Sequence, residues 1–259
     1  MTKSFDARPA ALLIAAACRS HTRLDALPAA DRPVTLDKGY DIQDSLIAEL
    51  GDPVVGWKLG QGSPKGLRTA SLERALVGHV LASRCHAAGR TIPLPVAAPV
   101  TVEIEIAFEL ARDIAPDAPP LTPHEAVGPA RLAAEIILSR YVDRKVVGLP
   151  SYLAENVGFE ALVLGPAIDA AEIPAIMSSV VVDLDGRRIA DHQTGDDAID
   201  PYRAVAHLMA HARHRGMTLR RGEIVSTGTI SKPFDCAGHR AAIVARAGGL
   251  EMPFELTWP

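Results

Sequence analysis

The sequence predicts an α+β fold, in which a mixed β-roll or barrel with peripheral helices follows a small N-terminal helical region. Short β-type runs punctuated by Gly and Pro recur along most of the chain, while clear helical patterns are few. The first fifty residues read as helical, so the chain divides into an N-terminal helical appendage over 1–52 and a β-rich domain over 53–259. With 259 residues, 48% of them hydrophobic, there is enough apolar material for a substantial core.

A first helix is expected from about Asp6 to Arg19, with Leu12, Leu13 and Ala16 packing on the body. Its apolar stretch Pro9–Cys18 follows Lys3 and Arg8 like a signal-peptide core, but Asp6 and the Arg19-Ser20-His21 that closes it favour a surface helix. A second helix is expected over Leu36–Leu50, where Ile42, Leu46, Ile47 and Leu50 form one stripe and Gly51-Asp52-Pro53 ends it. Strands follow at Val54–Gly60, Gly78–Leu81, Val100–Leu110, Ala161–Leu164 and Ser178–Leu184, with Asp185-Gly186 as a hairpin turn. One later helix is bounded by Asp200 as cap, Pro201 in its first turn and Gly216 at its end, its core face being Ala204, Val205, Leu208, Met209 and Ala212. Glu223–Ile230, Arg240–Ala245 and Leu250–Leu256 complete the strands.

Lys and Arg number 27 against 31 Asp and Glu, a net charge of −4 that argues against nucleic acid or an anionic membrane as partner. No stretch reaches the roughly 20 apolar residues needed to span a bilayer. Cys18, Cys85 and Cys236 are far apart and lack metal-ligand spacing, which fits a reducing compartment. A cytoplasmic protein is expected.

Chemistry is concentrated in four places. In Val102-Glu103-Ile104-Glu105-Ile106-Ala107-Phe108, a strand would turn its apolar residues to one side and both carboxylates to the other, roughly 6 to 7 Å apart at Cβ. Two such carboxylates suit one hard divalent cation, with magnesium the natural candidate; a polar strand face in water uses the same residues without an ion. Lys58, within Gly56-Trp57-Lys58-Leu59-Gly60, sits in an apolar strand-like run, where it either pairs with a carboxylate or snorkels to the surface. Glu135, in Leu132-Ala133-Ala134-Glu135-Ile136-Ile137-Leu138, is costly to bury unpaired, and the run does not distinguish strand from amphipathic helix. Before it, Thr122-Pro123-His124-Glu125 reads as a capping box. Arg221–Thr229 reads as a turn, a strand and a glycine-opened loop able to offer N–H groups and hydroxyls to a substrate carboxylate.

Taken in order, these pieces resemble the 2-keto-4-pentenoate hydratase and 4-oxalocrotonate decarboxylase family of the fumarylacetoacetase-like superfamily. The resemblance runs from Gly56–Gly60 and Ser63 through Glu103, Glu105, Glu135, Ser139-Arg140, Glu155-Asn156 and Val163–Gly165 to Gly222–Thr229. It implies a fumarylacetoacetase-like roll whose 53–259 domain is catalytic, with Glu103, Glu105 and Glu135 as ligands of Mg2+ or Mn2+. It implies Lys58 as the catalytic residue beside the substrate's 2-oxo group, and Ser63, Asn156, Gly228 and Thr229 as substrate-binding residues. It further implies a small-molecule 2-oxo acid substrate, a homo-oligomer, a place in aromatic catabolism, and room for association with a pathway enzyme.

The implied reaction is addition of water to a short unsaturated 2-oxo (2-hydroxydienoic) acid. Leu76 stands where the family's hydratases carry an acid, Gln61-Gly62 replaces Leu-Thr, and Glu155 replaces an aspartate. Loss of CO₂ from a vinylogous 2-oxo diacid is therefore the nearest rival. Hydrolysis of an acylpyruvate C–C bond would want a His–Glu pair, which His79, His86 and His124 do not spell out. A non-catalytic paralogue or partner subunit that keeps the ion site is the remaining alternative.

Overall fold

A computed structural model describes residues 5–259. Residues 1–4 of the expected appendage lie outside the described residues. The chain opens with α1 (Arg8–Ser20) and α2 (Leu36–Leu50). Thr35 caps α2 by accepting the Lys38 N–H, and Gly51 leaves it at φ 68°, a left-handed conformation that favours glycine. The face of α1 differs from expectation: Ala10, Ala11, Ile14, Ala15 and Ala17 are buried, whereas Leu12 and Leu13 are 40% and 38% exposed and Ala16 is exposed. Nearly every position of Pro9–Cys18 is apolar, so periodicity does not choose a face. Contact with α2 chooses it, and the small alanines allow the helices to come close.

The body begins with β1 (Val54–Gly60), α3 (Pro64–Thr69), β2 (Leu76–Leu81), β3 (Cys85–Ala87), β4 (Thr91–Pro93) and β5 (Val100–Leu110). Next come α4 (Pro123–Ala126), closed by the expected Thr122–Glu125 capping box, then β6 (Val127–Ile137), α5 (Leu149–Ala154) and β7 (Phe159–Ile168). The chain continues through α6 (Ile173–Ser179), β8 (Val181–Leu184), β9 (Arg187–Asp191) and α7 (Pro201–Arg215). It finishes with β10 (Ile224–Thr229), β11 (Phe234–Cys236), β12 (Arg240–Ala247) and β13 (Leu250–Thr257). Ser178 and Ser179, expected in a strand, instead finish α6, which Pro174 starts and where the Ser179 hydroxyl bonds back to the Ala175 carbonyl at 2.7 Å. Asp185 (φ 50°) and Gly186 (φ 76°) make the β8–β9 turn, and Asp200 and Gly216 bound α7 as expected.

Two sheets form. The larger has the order β2-β1-β10-β5-β6-β7-β3, with β11 pairing β5, and it curls so that β2 lies against β7. The smaller has the order β4-β13-β12-β8-β9 and meets the larger where β13 touches β7. Val102, Ile104, Ile106 and Phe108 of β5 and Leu132, Ala134 and Ile136 of β6 enter the main core. The opposite face of those strands is also covered, with Ala107 and Ala133 packing under Val80, Phe159 and Leu162. Among the described residues, no helix is long and apolar enough to cross a membrane.

Gly56 shows how tightly β1 is seated. It lies opposite Ile224 in the parallel β1–β10 pair, where an added Cβ would come within 2.3 Å of the Ile224 carbonyl oxygen. Backbone cannot yield as a side chain can, so Gly56→Ala is expected to cost about 2 kcal/mol by overpacking, read as a lower midpoint in urea denaturation. An unchanged midpoint would show that the strands separate freely there.

Candidate active site

Strand register assembles the acids. In the antiparallel β5–β6 pair, Glu103 lies directly opposite Glu135, and Glu105 follows Glu103 on the same face by the two-residue alternation. One oxygen from each of Glu103, Glu105 and Glu135 can be chosen so that all three lie within 4.8 Å of one another. Lys58 joins them because β1 pairs β10 and β10 pairs β5, with Lys58 opposite Ser226 and Ser226 opposite Ala107. Four strands thus turn their polar residues to one side of the sheet.

Lys58 is fully buried, its Nζ donating to the Val157 carbonyl at 3.1 Å and lying 2.7 Å from Glu135 Oε1. Gly78 of β2, opposite Lys58, makes room for its stem, since a Cβ there would come within 3.1 Å of Lys58 Cδ. Burial alone would discharge the ammonium, but Glu135, together with Tyr152 and Glu103, outweighs it and holds Lys58 protonated. Glu105 is fixed through Oε2, which accepts from the Ser226 hydroxyl at 2.5 Å and the Gly228 N–H at 2.9 Å. Its Oε1 and Glu135 Oε2 lack any hydrogen-bond partner despite complete burial, while Glu135 Oε1 meets the Lys58 ammonium.

That condition is expensive for carboxylates alone. Burial pushes all three carboxyls up, with Glu135 adding to the rise at Glu103, which reaches about 7, and at Glu105. Orphaned, hard, anionic oxygens gathered at one point are the donor set a divalent cation such as Mg2+ prefers, so the residues present fit one.

Two cavities meet at Glu103. The larger, about 550 Å³, is walled by Lys58, Arg144, Lys145, Tyr152 and Val157. The smaller, about 300 Å³, is walled by Ser63, Gly228, Thr229 and Asp197, and both share Gly60, Gln61, Thr69 and Glu103. Ser63 caps α3 by accepting the Gly66 N–H at 3.0 Å, and Thr229 donates to the Ser231 carbonyl at 2.7 Å. A wider groove of about 930 Å³, lined by Met177, Ile199 and Tyr202, touches neither Lys58 nor any of the three glutamates. Its size therefore says nothing about the chemistry.

Asn156, expected among the substrate-binding residues, lines neither cavity. Its Oδ1 accepts the His79 N–H at 2.7 Å and its Nδ2 donates to the His79 carbonyl at 2.9 Å, so the side chain fixes the strand that carries Gly78. Glu155 likewise turns inward, accepting from the Ser139 hydroxyl and the Arg140 N–H, and burial pushes it up to about 8. Leu76 is buried in the main core. His79 is buried against Trp57 and lowered by burial to about 4, His86 lines a separate cavity, and His124 stacks on Tyr202. No histidine lines either cavity at Glu103 among the described residues. Arg144 and Tyr152 are not singled out by the sequence, where an arginine in a polar loop and a tyrosine in a short helix carry no spacing signal, and Ser226, within the expected Arg221–Thr229 run, turns its hydroxyl to Glu105.

A curled mixed sheet with helices around it defines a fumarylacetoacetase-like fold. The profile of the fumarylacetoacetate (FAA) hydrolase C-terminal family matches residues 71–252, and the chain belongs to that family of enzymes. Among solved structures, 4-oxalocrotonate decarboxylase from Pseudomonas putida G7, complexed with magnesium and adipate, superposes with TM-score 0.84 at 18% identity, covering 100% of this chain and 99% of that one. Fumarylpyruvate hydrolase from Pseudomonas aeruginosa, in complex with Mn2+ and pyruvate, gives 0.56 at 19% identity over 80% of this chain and 91% of that one. For 5-carboxymethyl-2-hydroxymuconate delta-isomerase from Mycobacterium smegmatis the figures are 0.52, 18%, 80% and 81%. Nothing among curated protein sequences matches. Decarboxylase, hydrolase and isomerase share this fold, so the reaction must be argued from the cavity walls.

The raised carboxyls make stability depend on pH. A carboxyl whose folded pKa exceeds its unfolded value, near 4.5, binds more protons when folded, so its contribution is lost as pH rises through that interval. Buried neutral His79 and His211, both lowered, push the other way, so the comparison is made between variants. In EDTA, the stability of Glu105→Gln relative to the unaltered protein is expected to grow as pH rises from about 5 to about 8, read by thermal denaturation. A flat or shrinking difference would contradict a burial-driven rise at Glu105.

Proposed function

We propose that this protein is a divalent-metal-dependent lyase that adds water to a short unsaturated 2-oxo acid, yielding a 4-hydroxy-2-oxo acid. The observation that carries the reading is the convergence of orphaned Glu105 and Glu135 oxygens with Glu103, beside the charged Lys58. Glu103, Glu105 and Glu135 would hold Mg2+ or Mn2+, in keeping with the magnesium, calcium and Mn2+ named for structures of the same fold. When bound, the ion supplies Lewis acidity toward the substrate's carboxylate and 2-oxo oxygens.

The chain's own groups do the rest. Lys58, protonated and fixed by Val157 and Glu135, stabilises negative charge growing on the 2-oxo oxygen as the conjugated system takes up electrons. Ser226 and the Gly228 N–H keep Glu105 from turning away. Ser63, Gly228 and Thr229 form the wall against which the substrate's C1 carboxylate would rest. Tyr152, pushed up to about 12 by burial, stays a phenol across the working range. In the reaction, the water oxygen bonds to the distal alkene carbon and a proton is taken up at its neighbour, so no redox partner is required.

Loss of CO₂ from a vinylogous diacid is a second reading favoured by one observation. Apart from Glu103, the larger cavity has no carboxylate on its wall to handle a water proton, and Leu76 is buried in the core. Carbon–carbon hydrolysis lacks a histidine at these walls.

The test is an assay with 2-hydroxypenta-2,4-dienoate and 4-oxalocrotonate in MgCl₂, with products weighed by mass spectrometry. Gain of one water with the first substrate is expected. Lys58→Ala and Glu105→Ala should each lower kcat by roughly a hundredfold or more, and EDTA should abolish turnover until Mg2+ is restored. Full activity in EDTA would refute the metal-dependent scheme, and evolution of CO₂ without hydration would select the second reading. Mg2+ binding without turnover of either compound would indicate a non-catalytic paralogue.

A further inference from the structure

Arg144 is a half-buried charged group on the cavity wall that the proposed chemistry does not use. It lies in the loop between β6 and α5, half-buried, facing the 550 Å³ cavity together with Lys58 and Glu103. Its guanidinium is steadied by neutral oxygens: one Nη donates to the Tyr152 hydroxyl at 3.3 Å, the other to Thr101 Oγ1 at 3.4 Å, and the group sits 5.6 Å from the centre of the Tyr152 ring. Among the described residues no carboxylate pairs with it. Arg84 and Arg140 are served differently, both pairing with Glu160.

Charge sharpens the contrast. Three carboxylates at the metal site are matched by Lys58 and one divalent cation, which leaves Arg144 and the neighbouring Lys145 as surplus positive charge on the same wall. Two carboxylates on the substrate would balance them. Geometry divides those carboxylates between the lobes: one end of the substrate toward Gly228 and Thr229, the other past Glu103 toward Arg144. A guanidinium held by a ring and two hydroxyls, one on each Nη, keeps three of its five N–H groups in one plane, enough to grip a carboxylate through two hydrogen bonds.

We infer that Arg144 is the specificity-determining residue that grips the distal carboxylate of a dicarboxylic 2-oxo acid, and that this carboxylate is retained in the product. The inference rests on the proposed metal-bound 2-oxo acid reading of the site. Retention follows from where charge moves. Losing CO₂ would carry the electron pair of the C–C bond out of the carboxylate and into the conjugated chain, so an arginine gripping that carboxylate stabilises the ground state more than the transition state. Adding water nearer the middle of the chain leaves the distal charge where Arg144 holds it. The grip therefore weighs toward hydration and against decarboxylation at that end.

The experiment compares two ligands differing only in the terminal group, 2-oxoadipate and 2-oxohexanoate, titrated calorimetrically into the full-length protein with and without MgCl₂. With Mg2+, the diacid should bind about tenfold or more tightly than the monoacid. Arg144→Gln should bring that ratio toward one, and Arg144→Lys, which keeps the charge but not the fork, should restore part of it. Mg2+-dependent binding of both ligands with equal affinity, or a preference that survives in Arg144→Gln, would overturn the role of Arg144 while leaving the metal site standing. Failure of both ligands to bind in a Mg2+-dependent manner would overturn the site reading and this inference with it.

Discussion

Glu103 opposite Glu135, with Glu105 two residues further along, is a pairing that folding alone would not favour. Burial raises the pKa of all three carboxyls, Glu135 adds to the rise at Glu103 and Glu105, and oxygens are left without partners. The sheet tolerates this because the other face of the same strands is committed to the core: Val102, Ile104 and Ile106 on β5, Leu132, Ala134 and Ile136 on β6. A slip of one residue would drive the acids into that core and the apolar residues toward Lys58. Burial of the hydrophobic face therefore locks the register, and the register imposes the acidic cluster.

Lys58 offsets part of the cost and is itself constrained on every side. Its backbone is paired to β2 and β10, its stem fits only because Gly78 has no side chain, and its ammonium is shared between Val157 and Glu135. Asn156 secures this from behind by bonding both backbone groups of His79, next to Gly78. With one positive charge among three acids, the cluster remains short of neutral. A divalent cation would complete it, and the surrounding hydrogen bonds from Ser226 and Gly228 already orient Glu105 for that purpose.

How much of this was legible in the amino acids follows from what carries a period. The alternation of Val102–Phe108, the stripe of α2 and the Asp200–Gly216 bounds of α7 are local patterns, and the structure keeps them. The face of α1 was not legible, because a run that is apolar throughout leaves the choice to α2. The valines after Ser178 and Ser179 suggest a strand there, whereas the helix belongs to the Pro174 before them. Glu135 could not be assigned to strand or helix from its own run; only its pairing with Glu103 decides it. Asn156 fell within a segment like that of the family, yet both ends of its amide are spent on His79, which no linear pattern reveals. Arg144 and Tyr152 are brought to the cavity by a loop and a short helix, where residue type says nothing of direction.

That division has a consequence for reaction and substrate. The acids and Lys58 stand on strands, whose positions are fixed by ladders and core packing, so the part of the site proposed to bind an ion and stabilise charge is set by the fold. The walls that meet the rest of the substrate come from segments outside those ladders: Ser63 at the start of α3, Gln61 at a positive φ of 60°, Arg144 ahead of α5. Such segments change side chains without disturbing the sheet. One curled sheet can then present the same electron sink to water addition, loss of CO₂ or bond cleavage, with the outcome decided by which charges and hydroxyls the loops supply. In this chain the loops supply cations and a phenol to one lobe, the Ser63 hydroxyl and a Lys65–Asp197 ion pair to the other, and no histidine to either. A wall of that kind can bind anions and donate hydrogen bonds but offers little to activate a distant nucleophile, so the proposed water addition would place its demands on the cluster at Glu103 itself, where the two lobes join.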